Sequence, residues 1–324
     1  MNNDDDLQQS RDHTPAPAAE PAAMTRPDGP GVLLGDPLPG QEYPATLRTQ
    51  TARWWKPLVG ILAGVLVLLV GSGLLSVGAL MIDAFVFDVP FGTMTPFVYA
   101  SMLLALILLI PTTLLLVRYL HGQRIGFNSS VTGRLRWGYV LRVTPPFLVL
   151  FSVYMAVFTI LGPEGGDPSD NWWMFALLSV LLMPFQAAAE EIFFRGYVQR
   201  AAGSWFRTEN VAFVVGTLIS AVLFMAAHFA ADLWLNLYYF CFGVLLSLSV
   251  RLTGGLEVAI VLHVVNNVAA GVVGAYTQDM ESAFDRSAGV GGPFMLIQIV
   301  VIAVCVAGLV AFARRSGLQE RVAA

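Results

Sequence analysis

Charge is what this chain has least of. Asp, Glu, Lys and Arg make up 12% of its 324 residues against 56% hydrophobic ones, and the mean hydropathy is +0.68. A soluble globular domain carries about a quarter charged residues, so a soluble fold is excluded. There is no basic patch, and nucleic acid is not an expected partner. Cysteine is nearly absent too: Cys241 and Cys305 both fall in apolar runs, where the residue behaves as a small hydrophobe. Neither a disulfide framework nor a thiolate metal centre is expected. Histidine occurs four times, and that scarcity makes each position informative.

What is present is a series of apolar runs of about 18 residues or more, the length a bilayer requires. Eight are found, centred near Leu68, Leu106, Phe151, Leu181, Leu218, Gly243, Val264 and Val301. The expected fold class is all-α, a polytopic membrane helix bundle of about eight transmembrane helices. The connecting segments sort by charge. After the second, fourth, sixth and eighth runs come Arg118, Arg124, Arg134, Arg136 and Arg142, then Arg200 and Arg207, then Arg251, then Arg314, Arg315 and Arg321. After the first, third and seventh come Asp83 and Asp88, then Glu164, Asp167 and Asp170, then Asp279, Glu281 and Asp285 with Arg286. Basic loops stay in the cytoplasm. Both termini are therefore expected inside, in a multi-pass protein of the cell (plasma) membrane.

Residues 1–54 have another character, opening on Asp4, Asp5 and Asp6 and studded with prolines from Pro15 to Pro44. They lack the basic start and apolar core of a signal peptide, and such composition does not support a packed core. A disordered Pro-rich cytoplasmic tail over 1–54 is expected, with the bundle in 55–324. The polar, aromatic stretch Gly126 to Trp137 is expected to lie along the cytoplasmic interface.

Against this background the run AAAEEIFFRGYVQR, Ala187 to Arg200, raises a question of cost. An unpaired charge near a transmembrane helix centre costs about 2.5 to 3.5 kcal/mol, so Glu190, Glu191 and Arg195 need partners. Glu191 and Arg195 are i and i+4, about 40° apart on one face, and can pair. Glu190 lies about 100° away and needs a different partner. Two further pairs offer one: Phe224 and His228 on the fifth helix, His263 and Asn267 on the seventh, each at i and i+4. His13 is in the tail and His121 in a basic loop, so the other two histidines sit in apolar helices that follow the carboxylates. Equal arm lengths about a turn at Arg207 to Asn210 return His228 to the depth of Glu190. His263 reaches them only if the sixth or seventh helix tilts or the turn after Ala230 dips into the bundle. Pro184 offers a kink to the fourth helix for the same purpose.

A glutamate, two histidines and an amide are the parts of a water-activating hydrolase. A buried carboxylate can take a proton from water, an imidazole can share the task, and a second histidine with an asparagine can donate to an oxyanion. Equally, Glu190, His228 and His263 could hold a zinc ion that activates the water. The residue types leave both open. Other intramembrane chemistries find no motif: HExxH is absent, Gly71-Ser72-Gly73 has Val70 where a GxSG pattern needs glycine, and the same run lacks the aspartate of GxGD.

In order and on successive apolar helices, Glu190-Glu191-Ile-Phe-Phe-Arg195, Phe224-Met-Ala-Ala-His228 and His263-Val-Val-Asn-Asn267 resemble the EExxxR, FxxxH and HxxxN motifs of the CPBP family. That family holds CAAX prenyl protease 2 (Rce1-type) and lysostaphin-resistance-protein-A-like membrane proteins. The resemblance covers about 172–276. It implies an intramembrane endopeptidase, of glutamic type or a metalloendopeptidase, acting on membrane-embedded or lipid-anchored protein substrates near their C-terminus. Carried over by residue, Glu190 and His228 activate water, His263 and Asn267 stabilise the oxyanion, and Glu191, Arg195 and Phe224 give structural support. No metal is assigned; if one binds, its ligands are Glu190, His228 and His263, with zinc the candidate. Since the family assignment occupies these groups with water and oxyanion, the metal-free form is the expectation. A site opening toward the cytoplasmic half of the membrane is expected, because the basic end of the fourth helix follows Arg195. The alternative functions are a non-catalytic bacteriocin immunity or membrane scaffolding protein and, more weakly, a transporter with Glu190 as proton carrier, for which no internal repeat is evident.

Overall fold

Each apolar run forms a helix, because in a bilayer a backbone satisfies its polar groups only within its own segment or in a closed barrel. In the computed structural model, which describes residues 32–161, 167–277, 282 and 284–323, eight helices are long and apolar enough to cross a membrane. They are α1 (Trp55–Val86), α2 (Pro96–Leu120), α3 (Trp137–Leu161), α4 (Trp172–Gly203), α5 (Glu209–Ala226), α6 (Leu233–Thr253), α7 (Glu257–Thr277) and α8 (Met295–Arg315). Every expected centre falls inside its helix. The described residues contain no strand, only isolated bridges between Glu42 and Arg321 and between Ser130 and Gly255. Glu164, Asp279 and Glu281 lie outside the described residues, as does the start of the tail.

Helix ends follow from local chemistry. Thr95 caps α2 by accepting from Val98 N at 3.1 Å with Pro96 next in line, and Asp232 caps α6 by accepting from Leu235 N at 2.9 Å. Both remove orphan amide donors from a helix start. Gly254 ends α6 at φ 66°, the left-handed conformation that glycine adopts without a Cβ clash. Outward rows such as Leu62, Leu66, Leu74, Phe85, Leu150 and Val304 are exposed, as the lipid-facing side of a membrane helix requires.

The bundle is built on the packing of α4 against α7, with α5, α6 and α8 in succession on one side and α2 and α3 completing the surround. Gly271 of α7 allows the closest approach: a Cβ there would lie 2.6 Å from Ser179 Oγ of α4. That contact sets α7 beside α4 at the depth where both carry polar groups.

The tail reading requires correction over its last third. Residues 33–54 pack on the bundle end: Tyr43, Thr46 and Leu47 are buried, and Tyr43 to Ala45 form a 3-10 turn. The physical reason is a buried cation. Arg200 of α4 donates to Thr46 Oγ1 at 2.7 Å, to Asn128 Oδ1 at 3.1 Å, to Gly196 O at 2.9 Å and to Gln123 Oε1, with the Tyr43 ring 5.1 Å from its Cζ. The Tyr43 hydroxyl donates to Asn128 O. Proline content gave no hint of this, since a proline-rich segment that holds one aromatic anchor can dock without a core of its own. The Gly126 to Trp137 stretch likewise does not lie flat on an interface. Asn128, Ser130 and Val131 are buried, and Asn128 Nδ2 donates to Ile192 O of α4 at 3.2 Å.

Candidate active site

Two helices and a turn deliver the site. On α4, Glu190 and Glu191 sit just before a π turn, Phe194 to Gln199, that contains Arg195. Such a widened turn inside an α-helix recurs at functional sites. Pro184 lies within α4 without interrupting it. The side chain of Glu191 is fully buried and its Oε1 accepts from Arg195 Nη1 at 2.8 Å, as the i, i+4 spacing led one to expect. The same oxygen also accepts from His263 Nδ1 at 2.7 Å. A carboxylate accepting at Nδ1 fixes the ring and its tautomer, so Glu191 aims the other ring nitrogen. That nitrogen, Nε2, lies 3.4 Å from Glu190 Oε2. One imidazole therefore bridges the neighbouring glutamates, and Glu190 has His263 as a partner from α7 beside the Gln186 side chain of its own helix.

Arg195 has no hydrogen-bond partner at Nε and Nη2. Its guanidinium lies over the Phe224 ring, Cζ 4.3 Å from the centroid. Phe224 also meets both histidines edge-on, at 4.7 Å for His228 and 5.8 Å for His263. The phenylalanine of the second motif thus packs between the structural cation and the two imidazoles.

His228 comes from the turn between α5 and α6. Its Nδ1 donates to Phe224 O at 2.8 Å; a carbonyl cannot donate, so the neutral ring carries its lone pair on Nε2. The ring stacks on Tyr239, centroids 3.7 Å apart. The next residue, Phe229, has φ 50°, a left-handed conformation that costs a bulky residue on the order of 1 to 3 kcal/mol. The turn is held from above by the segment before α8: Ala231 N donates to Arg286 O at 2.8 Å and Gly289 N to Asp232 Oδ2 at 2.9 Å.

Asn267, one turn beyond His263, donates to Gln186 Oε1 at 3.3 Å and accepts from Asn266 Nδ2 at 3.1 Å. Gln186 and Asn266 were missed from the sequence, although Gln186 at i−4 from Glu190 is an amide in an apolar run and carried a readable signal. Tyr239 had none, being one aromatic in a Tyr-Tyr-Phe run.

A cavity of about 580 Å³ takes in Glu190, His228, His263 and Asn267 together. It continues past Tyr239 to Phe284, Asp285, Arg286 and Val290. Its described lining includes nothing from the arginine-bearing loops after α2, α4 and α6. The expected opening at the basic end is therefore corrected: the cavity runs to the other end, because α4 continues beyond Glu190 as a fully buried layer of Phe193, Tyr197 and Arg200.

The donor set for a metal is incomplete. Among the described residues no three His, Cys, Asp or Glu side chains cluster closely enough to hold an ion. Catalytic zinc takes three protein ligands, whereas here Glu190 and His263 face each other as a pair.

A relative, the uncharacterized protein YyaK of Bacillus subtilis (strain 168), is 28% identical over 173 residues, which are 49% of this chain and 55% of that protein. The chain thus matches about half the length of this curated relative. No solved structure matches significantly. Residues 171–269, which hold Glu190, Glu191, Arg195, Phe224, His228, His263 and Asn267, match the family described as Type II CAAX prenyl endopeptidase Rce1-like.

Proposed function

We propose that this multi-pass membrane protein is an intramembrane endopeptidase of glutamic type, hydrolysing peptide bonds of membrane-associated protein substrates in the plasma membrane. Glu190, with His228 lining the same cavity, removes a proton from water as the water oxygen bonds to the scissile carbonyl carbon. The carbonyl oxygen takes the electron pair and is stabilised by Asn267 Nδ2–H and by His263, whose ring the Glu191 carboxylate orients through Nδ1. The proton taken from water then passes to the amide nitrogen as the C–N bond breaks.

The observation that carries this reading is the convergence of Glu190, His228, His263 and Asn267 from two helices and a turn on one cavity, with His263 3.4 Å from Glu190. The family match over 171–269 supports the reaction class. The test is a comparison of protein C-termini in membranes from cells expressing the wild type or Glu190→Gln. New C-termini confined to the wild type are expected. Identical profiles, with purified protein leaving membrane-anchored peptides intact, would favour the non-catalytic immunity or scaffolding role.

A further inference from the structure

Resting on the protease reading, we infer that substrate reaches the site from the non-cytoplasmic face of the membrane. Two independent observations lead there. The first is the direction of the cavity. Beyond the catalytic cluster it is lined by Phe284, Asp285, Arg286 and Val290, from the segment between α7 and α8. The opposite direction is closed. From Glu190, α4 runs 13 residues further to Gly203, about 20 Å at 1.5 Å per residue. Over that length Phe193, Tyr197 and Arg200 are completely buried, with Tyr43 and Asn128 packed beyond them.

The second is the distribution of charge. Among the 18 Lys and Arg residues of the sequence, Arg286 is the one that falls in the segments following α1, α3, α5 and α7. Arg124, Arg134, Arg136 and Arg207 fall in those following α2 and α4, and Arg118 and Arg251 in the last turns of α2 and α6. Such a bias sets orientation, with the basic loops inside. The closed end is thus the cytoplasmic one and the open end faces outward. The substrate class that follows is a membrane-anchored protein whose scissile bond is presented at the outer leaflet, not a chain tethered by a cytoplasmic lipid anchor.

The test uses thiol accessibility in whole cells expressing the full chain. Cysteine is placed singly at Ala270, an exposed residue of the cavity wall, at Val290 near its mouth, and at Arg134 in the loop after α2. Peptide mapping reads each position separately, so Cys241 and Cys305 can stay. Gel filtration in detergent confirms that each variant is folded. A membrane-impermeant maleimide should modify Ala270→Cys and Val290→Cys in intact cells, and Arg134→Cys only after the cells are opened. Modification of Arg134→Cys in intact cells, or of Ala270→Cys only from the Arg134 side, would overturn the inference. Cleavage does not enter these readouts, so a protein without proteolytic activity would sink the enzymatic reading while leaving the access result intact.

Discussion

The Nδ1 of His263 lies 2.7 Å from Oε1 of Glu191. Glu191 therefore has two duties on one oxygen, because Arg195 Nη1 reaches the same atom at 2.8 Å. Without the carboxylate, Arg195 keeps only the Phe224 ring and His263 loses the group that aims Nε2 at Glu190. The second and third motifs are thus coupled to the first through a residue that is not itself among those lining the cavity.

Glu191→Gln should consequently lower stability and turnover together. Removing one partner of a buried ion pair typically costs about 3 to 5 kcal/mol, to be seen as a lower melting temperature in detergent. Because His263 is proposed to act on the transition state, kcat should fall while KM holds. A variant that melts early yet keeps wild-type kcat would show that the His263 contact has no part in the chemistry.

Glu190→Gln should behave in the opposite sense. Among the described residues Glu190 Oε2 makes no hydrogen bond, and the amide oxygen of a glutamine can still pair with Gln186 as the carboxylate does. Melting should match the wild type, with activity reduced roughly 10²- to 10⁴-fold, the usual contribution of a general base. Full activity in Glu190→Gln would move the base to His228 or His263.

The eight helices were legible because a bilayer makes a long apolar run and a helix nearly the same statement. The Glu191–Arg195 pair was legible because i, i+4 neighbours are fixed by helix geometry alone. The Glu191–His263 bond was not: it joins α4 to α7 across 72 residues and depends on the close packing that Gly271 allows. The end toward which the cavity runs did not follow from charge for a related reason. Charge located the basic end, but the layer that closes it comes from Tyr43, Asn128 and Arg200, three residues distant in sequence. Composition placed the first of them in a disordered tail.

Tyr43→Ala tests that closing layer. It removes a fully buried ring from beneath Arg200 and a hydrogen bond to Asn128 O. A buried large-to-small aromatic change costs about 3 to 5 kcal/mol. The melting temperature should drop, and trypsin should cut at Arg48 and Arg53 faster than in the wild type. Unchanged cleavage there would show that residues 33–54 are held by other contacts.

A pH dependence follows from His121, just past the end of α2. Burial, with the Arg200 and Lys56 charges nearby, pushes its pKa down to about 3, and the ring nitrogen Nε2 lies 2.9 Å from Tyr197 Oη. An unfolded histidine titrates near 6.5, so between these values the unfolded chain binds the extra proton. Stability from this group is complete above about pH 6.5 and declines as pH falls toward 3. Melting of the wild type should fall more steeply from pH 7.5 to 5 than that of His121→Gln. Parallel curves would mean that His121 is already protonated in the fold.

Chelation separates the two ways in which these residues could activate water. For a catalytic metal, Glu190, His228 and His263 would have to turn their free atoms to one point, and each has a competing commitment. His263 is anchored at Nδ1 and its Nε2 faces Glu190 Oε2 at 3.4 Å, while the His228 ring is pinned between the Phe224 carbonyl and the Tyr239 face. Ligation would require the three side chains to draw into a cluster that they do not form among the described residues, whereas proton transfer needs no such rearrangement. Activity should accordingly survive exhaustive dialysis against a chelator, and added zinc should not raise it. Loss on chelation with recovery on adding zinc would place a metal between Glu190 and the two histidines and return Glu190 from general base to ligand.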